Sequence, residues 1–104
     1  MQAIVNNKAS LIQQLSCRSS EIKGFGVKQL GIFGSFAKNI NINTDSDVDF
    51  LVEFEPGKKT YDNFINLSFY LEELVGRKVE LVTSASLSKY IGPYILKEVE
   101  NVRL

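Results

Sequence analysis

The chain has 104 residues, of which 44% are hydrophobic and 23% are charged, a composition that predicts one globular domain spanning residues 1–104. Twelve basic and twelve acidic side chains cancel, so the net charge gives no reason to expect direct nucleic-acid binding or attraction to an anionic membrane. Histidine is absent, which excludes zinc-protease motifs and serine–histidine triads built from this chain alone. A metal site here would consist mainly of oxygen ligands, which suits magnesium or manganese.

The cysteine content and the N-terminus indicate a cellular compartment. Cys17 is the only cysteine, so the chain cannot form an internal disulfide. The N-terminus lacks the apolar run of a signal peptide, and no stretch reaches transmembrane length. Because thiols stay reduced inside cells, we expect a cytoplasmic protein that does not enter a membrane.

The first half of the chain is predicted to contain two short helical regions, a strand and a glycine-serine turn. In order, these are a helix in residues 2–16, a helical turn from Ser20 to Lys23, a strand from Val27 to Phe33, a short helix after Gly34-Ser35 and a polar loop in residues 39–46. Ile4 and Val5 are expected on the apolar side of the first helix. Ile40 and Ile42 are the loop residues that could pack against the core.

The second half of the chain alternates strands and helices. It is predicted to contain a strand from Asp47 to Glu55, a helix capped by Thr60 and ended by Gly76, a strand from Lys78 to Val82, a helical turn in residues 85–90, and a final amphipathic helix that begins at Pro93 and carries Tyr94, Ile95, Val99 and Val102 on its apolar side. The order α-β-α-β-α-β-α predicts a small α/β domain in which helices cover a mixed sheet.

Three acidic residues are the candidate metal ligands. The two-residue period of a strand places Asp47 and Asp49 on one face, where two carboxylates can lean over one site. Glu80 lies on the next strand, on the face opposite Val79 and Leu81. Clustered carboxylates repel one another, so a chain that keeps them together is expected to bind cations there.

The turn at Gly34-Ser35 is the candidate phosphate site. A strand that turns directly into a helix exposes backbone N–H groups, Gly34 permits close approach, and Ser35 can cap the helix or bond a phosphate oxygen. Each feature alone also has an ordinary explanation: a plain turn at Gly34-Ser35, an Asx-turn in residues 44–47, and a solvent-exposed charge at Glu80. The combination of these features is more specific. It would place hydrogen-bond donors for an anion beside ligands for cations, which suits a nucleoside triphosphate with its metal ions.

Gly34-Ser35 is followed, after eleven residues, by Asp47-Val48-Asp49. This layout resembles the signature of the DNA polymerase β-type nucleotidyltransferase superfamily. More narrowly, residues 27–100 are similar to the minimal nucleotidyltransferases of prokaryotes, including segments 26–30 and 76–83 that flank the signature. These proteins are the antitoxin halves of HEPN/MNT toxin–antitoxin pairs. The resemblance therefore implies the polymerase β-like nucleotidyltransferase fold.

The resemblance also implies a reaction and a role for each candidate residue. Gly34 and Ser35 would hold the outer phosphates of ATP, while Asp47, Asp49 and Glu80 would bind two Mg2+ ions. Glu80 could also orient or deprotonate the attacking hydroxyl. Lys38 either neutralises phosphate charge or is a solvated helix residue. The implied reaction transfers AMP from ATP, with loss of pyrophosphate, to a hydroxyl of a HEPN toxin, and the resemblance implies that this hydroxyl belongs to a tyrosine.

The sequence is also compatible with a second function. The third carboxylate of the family is usually aspartate, whereas this chain has Glu80, and Lys38-Asn39 stands where an Arg-Gly pair is common. The alternative is therefore an antitoxin that keeps the fold, has weak or no catalysis, and neutralises its toxin by binding alone.

Overall fold

The computed structural model describes residues 4–40, 42–43, 45–83, 86–87 and 92–104. The elements in this part of the chain are α1 (Lys8–Cys17), α2 (Ser19–Lys23), β1 (Val27–Phe33), α3 (Gly34–Lys38), β2 (Val48–Phe54), α4 (Tyr61–Val75), β3 (Val79–Thr83), α5 (Gly92–Glu98) and β4 (Glu100–Val102). None of the described helices combines the length and the apolar character needed to span a bilayer.

The four strands form one mixed sheet in the order β3-β2-β1-β4. β1 is antiparallel to both β2 and β4, whereas β2 and β3 are parallel and are connected by α4. The predicted mixed sheet with helices is thus confirmed. Along β2 every second side chain is buried in the core, and these side chains are Val48, Phe50, Val52 and Phe54. The residues between them, including Asp49, lie on the other face of the sheet.

Helix α4 begins and ends where its capping residues predict. The Thr60 hydroxyl oxygen accepts a hydrogen bond from the Asn63 N–H at 3.1 Å, and Gly76 ends the helix in the left-handed conformation with φ of 71°. The helix buries Leu67 and Leu71 against the core. A crossover helix of this kind is what allows β2 and β3 to run side by side in the same direction.

The C-terminal prediction was partly wrong. Tyr94, expected on the apolar side of the final helix, is 72% exposed, and Val99 follows the end of that helix. The final helix ends at Glu98, and the chain then forms β4, so Val102 lies in a strand and not on the apolar face of a helix. Val102 pairs with Leu30 of β1 and is buried. Without β4, β1 would be an edge strand with unpaired backbone groups, and pairing satisfies them.

The N-terminal prediction was also partly wrong. Helix α1 begins at Lys8, after the N-cap residue Asn7, and residues 4–7 are not helical. Val5 is buried and its N–H donates to the Val75 carbonyl at 3.1 Å, whereas Ile4 is 57% exposed. Tertiary contact with the end of α4 therefore takes the place of a longer helix.

Two smaller predictions concern loops. In the loop after α3, Ile42 packs partly against the core, but Ile40 is 53% exposed. The helical turn predicted in residues 85–90 lies largely outside the described residues, which include only 86 and 87 of that range.

Candidate active site

Strand pairing brings two of the predicted carboxylates side by side. Asp49 of β2 is paired with Glu80 of β3 on one side and with Phe33 of β1 on the other. Because Val79 and Leu81 face the core, Glu80 shares the opposite face of the sheet with Asp49. The third carboxylate, Asp47, lies one residue before β2 begins and is exposed.

The electrostatics of Asp49 reflect the two other carboxylates. The pKa of Asp49 is raised from 3.8 to about 6, mainly by partial burial and then by the charge of Glu80, a hydrogen bond to Glu80 and the charge of Asp47. Asp49 and Glu80 are thus a close pair, and Asp47 acts on Asp49 through its charge. In the described part of the chain, however, no three acidic side chains are arranged as a group that could hold a metal ion without side-chain movement.

The donor chemistry of these residues fits a hard divalent cation. All three side chains offer carboxylate oxygens, the ligands that Mg2+ prefers. The raised pKa of Asp49 means that negative charge is unfavourable at its site when no cation is present. A bound cation would offset that repulsion.

The glycine of the predicted phosphate turn lies directly against Asp49. Gly34 has φ of +72°, a conformation that strongly favours glycine. A Cβ atom added at Gly34 would lie 2.3 Å from Oδ2 of Asp49, closer than any real contact. The turn and the acidic strand therefore adjoin, as the sequence predicted.

Ser35 and Lys38 lie on the short helix α3 that follows this turn. Ser35 is half-buried in the first turn of the helix, and its hydroxyl makes no hydrogen bond to any other described residue. Lys38 lies at the opposite end, where its Nζ is 3.2 Å from Oε1 of Glu98. Among the described residues, Lys38 forms its ion pair with Glu98 and none with the three carboxylates.

A cleft borders Asp47, and a larger cavity lies elsewhere. The cleft has a volume of about 290 Å³ and is lined by residues that include Asp45, Asp47, Arg77 and Lys78. The larger cavity, of about 390 Å³, is lined by residues that include Phe64 and, at the far end of β3, Thr83. Since Thr83 faces the core side of the sheet, that cavity does not open beside the carboxylates.

Sequence reasoning assigned no role to Arg77, which lines the cleft beside Asp47. Its guanidinium donates hydrogen bonds to the carbonyls of Asn43 and Ser46, at 2.7 and 3.0 Å, in the loop that leads to Asp47. The sequence gives only a weak indication that Arg77 makes these contacts. The indication is a cationic residue placed between Gly76, which ends a helix, and the following strand. The contacts depend on the fold, so no local pattern specifies them.

Comparison with known proteins places the chain among nucleotide-transferring proteins. The family described as "Nucleotidyltransferase domain" matches residues 12–103. The chain is 44% identical over 75 residues to protein adenylyltransferase MntA of Thermococcus cleftensis, covering 72% of this chain and 74% of that protein. It is 42% identical over 77 residues to MJ0435, a candidate protein adenylyltransferase of Methanocaldococcus jannaschii, covering 74% of this chain and 81% of that one.

Solved structures give the same result for the fold. A candidate minimal nucleotidyltransferase superposes with a TM-score of 0.77 at 28% identity, covering 94% of this chain and 96% of that one. A toxin–antitoxin structure with AMP-PNP superposes with a TM-score of 0.63 at 18% identity, covering 93% and 73% of the two chains, and this likeness concerns the fold alone. The family match, the identity to the relatives and the site described above agree: the chain belongs to the nucleotidyltransferase family and has the minimal nucleotidyltransferase fold.

Proposed function

We propose that this protein is a Mg2+-dependent adenylyltransferase that transfers AMP from ATP to a hydroxyl group of a partner protein. The observation that carries the proposal is the contact of the Gly34 turn with Asp49, which is itself paired with Glu80. This places donors for phosphate beside acceptors for a cation. The name of the Thermococcus relative, protein adenylyltransferase, supports AMP as the transferred group and a protein as the acceptor.

Each candidate residue has a proposed role in this reaction. The backbone N–H groups at Gly34 and the hydroxyl of Ser35 bind the outer phosphates of ATP. Asp47, Asp49 and Glu80 hold Mg2+. When bound, Mg2+ neutralises charge on the phosphates and stabilises the attacking and leaving oxygens. Lys38 could add positive charge at the phosphates only after leaving its ion pair with Glu98.

The chemical step is a substitution at the α-phosphorus of ATP. The acceptor oxygen forms a bond to that phosphorus, and the bond to the β-phosphate oxygen breaks, releasing pyrophosphate. The acceptor proton passes to the carboxylate of Glu80, whose exposed position on the sheet allows contact with an incoming hydroxyl.

We further propose that the acceptor is a tyrosine of a HEPN-family toxin, so that the protein acts as an antitoxin in the cytoplasm. The fold is shared with the MntA–HepT toxin–antitoxin structure, where the TM-score is 0.56 at 16% identity over 93% of this chain and 69% of that one. Phenolic hydroxyls suit the reaction, since their oxygen is more readily deprotonated than that of serine or threonine. The exposed site leaves room for a side chain presented by another protein.

One observation favours a second function, neutralisation of the toxin by binding alone. In the described residues the three carboxylates are not gathered closely enough to form a ready metal site. If they cannot converge when nucleotide binds, the chain would retain the fold and the partner surface without catalysis.

A labelling experiment distinguishes the two functions. The protein is incubated with its cognate HEPN toxin, Mg2+ and ATP labelled at the α-phosphate. We expect label on the toxin with the native chain, and none with Asp47→Asn or Asp49→Asn. Glu53→Gln is the matched control, because Glu53 is an exposed carboxylate on the same face of β2 as Asp49. This variant should label the toxin normally.

The outcome for toxin neutralisation completes the test. Absence of label with the native chain would contradict the proposed catalysis. If Asp47→Asn and Asp49→Asn nevertheless neutralise the toxin fully, binding alone is the function. Replacing the labelled tyrosine of the toxin by phenylalanine should remove the label if the acceptor is correctly proposed.

A further inference from the structure

Arg77 joins three segments of the chain that meet beside the candidate site. It follows Gly76 at the end of α4, and Lys78 separates it from the start of β3. Nε donates to the Val5 carbonyl at 2.6 Å, and Nη1 donates to the carbonyls of Asn43 and Ser46. Nη2 lies 3.4 Å from Oδ1 of Asn6. A single side chain thus holds the N-terminal segment and the loop that leads to β2.

The same guanidinium also packs on the helix that follows the phosphate turn. Its Cζ lies 5.2 Å from the centroid of the Phe36 ring, which is within cation–π distance. Phe36 is fully buried in α3, two residues after Gly34. Arg77 therefore contacts both halves of the candidate site, the phosphate-turn helix through Phe36 and the acidic strand through its preceding loop.

The loop that Arg77 holds determines where Asp47 lies. Asn43 and Ser46 close a turn on themselves, since the Ser46 N–H donates to the Asn43 carbonyl at 3.2 Å and the Asn43 N–H donates to the Ser46 hydroxyl at 3.0 Å. Nη1 of Arg77 bonds the carbonyls at both ends of this turn. Asp47 is the next residue, and it precedes the ladder of β2, which begins at Val48.

The strand ladder alone does not fix Asp47. Downstream, the Val48 N–H is held by the Lys78 carbonyl at 3.0 Å, but Asp47 itself is exposed and lies outside the paired strand. The upstream restraint therefore comes from the turn that Arg77 holds. Metal ligands need positions accurate to about 0.5 Å, and groups that orient them commonly affect metal affinity 10- to 100-fold.

We infer that Arg77 is a positioning residue, which fixes Asp47 relative to the Gly34-Ser35 turn so that cation and phosphates can bind together. This inference rests on the proposed function, because it assigns Asp47 a role as a metal ligand. The planar fork of arginine is required, since lysine carries the same charge but cannot donate in several fixed directions at once. A positive charge without the guanidinium geometry is thus not sufficient to hold the loop before Asp47.

The competing explanation is that Arg77 only anchors the N-terminal segment. Val5 tests this explanation, since its buried side chain holds that segment against the core while its carbonyl is one of the acceptors of Arg77. Val5→Ala should loosen the segment and leave the contacts to Asn43 and Ser46 in place. A purely structural role predicts that Val5→Ala and Arg77→Lys have similar effects on ligand affinity once the folded fraction is accounted for.

The test measures binding of AMP-PNP with Mg2+ by calorimetry, well below the melting temperature of each variant. We expect Arg77→Lys to weaken the affinity about 10- to 100-fold and Val5→Ala to change it little. Arg77→Ala should be at least as weak as Arg77→Lys and should regain part of its affinity when methylguanidinium is added at a concentration that does not denature the native chain. Without ligand, the Ser46 amide should exchange its hydrogen faster in Arg77→Lys than in Val5→Ala.

The possible results separate this inference from the proposed function. If the native chain binds AMP-PNP with Mg2+ and Arg77→Lys binds equally well, the inference is wrong and the proposed function stands. Equal weakening by Val5→Ala would also overturn it, in favour of a structural role. If the native chain does not bind the nucleotide at all, the proposed function is wrong and the inference is lost with it.

Discussion

Replacing Asp49 by asparagine should stabilise the protein in the absence of metal and nucleotide. Burial and the neighbouring acids Glu80 and Asp47 raise the pKa of Asp49 to about 6, from an ordinary value of 3.8. The folded state therefore holds a proton on Asp49 more tightly than the unfolded state does. Ionisation of Asp49 at neutral pH costs folding free energy, and Asp49→Asn removes that cost because its side chain carries no charge.

The magnitude follows from the difference between the two pKa values. That difference, from 3.8 to about 6, corresponds to at most about 3 kcal/mol at 1.36 kcal/mol per pKa unit. Asp49 is only half-buried, so solvent screening should reduce the effect to about 1–1.5 kcal/mol. For a domain of this size, this corresponds to a rise in melting temperature of about 5–10 °C.

The sign of the pH dependence gives the sharper test. Because the pKa of Asp49 is raised in the folded state, protonation of Asp49 stabilises that state. This contribution to the free energy of unfolding is complete below pH 3.8 and is lost as the pH rises through about 6. The assay measures melting temperatures with a chelator present from about pH 3.5 to about pH 8, a range that brackets both pKa values. At about pH 8, Asp49→Asn should be more stable than the native chain. The difference should vanish at the acidic end. The matched control is Glu53→Gln, which removes an exposed carboxylate on the same face of β2 as Asp49.

A different result would refute the electrostatic reasoning. If Asp49→Asn is no more stable than the native chain at about pH 8, neither burial nor repulsion from Glu80 and Asp47 disfavours the ionised form of Asp49 in solution. If the variant is stabilised equally at every pH, the gain comes from a cause other than the ionisation of Asp49.

Three further predictions concern the turn, the ligand and the last strand. Gly34→Ala should lower the free energy of unfolding by about 1–2 kcal/mol because of the left-handed backbone alone. It should also abolish AMP-PNP binding in calorimetry, because its methyl group would displace the Asp49 carboxylate. Normal binding would contradict the described contact. Mg2+ with ATP at a hundred times its dissociation constant should stabilise the native chain by about 2.7 kcal/mol, a shift of about 10 °C in thermal melting, and should stabilise Asp49→Asn much less; equal shifts would remove Asp49 from the metal site. Val102→Ala should lower stability by about 2 kcal/mol in urea titrations, whereas the exposed Arg103→Ala should have little effect, and equal effects would argue against the pairing of β4 with β1.

The parts of the fold that depend on local signals were predictable from the sequence. Helix α4 is specified by the cap at Thr60 and the left-handed residue Gly76, both of which act within a few residues. The strand from Val27 to Phe33 has the predicted bounds. By contrast, β4 forms because Val102 meets Leu30 about seventy residues earlier in the chain, a pairing that no local pattern specifies.

The same distinction applies to the candidate site. The period of a strand was enough to separate Asp49 from the core, and the burial of Val48 and Phe50 agrees with it. The pairing of Lys38 with Glu98 was not predictable, because it depends on where α5 comes to lie. The contacts of Arg77 depend likewise on three segments that only the folded chain brings together.

The close fit of Gly34 against Asp49 has a thermodynamic consequence for how ligands would enter. The carboxylate oxygen fills the space that a side chain on the glycine would occupy, so the two groups lie directly against each other. If a divalent ion drew Asp49 into coordination, this contact would link the position of the carboxylate to the shape of the turn proposed to bind the triphosphate, and the triphosphate would in turn favour the coordinated aspartate. Such reciprocal coupling is positive cooperativity, in which each ligand raises the affinity for the other by the same factor.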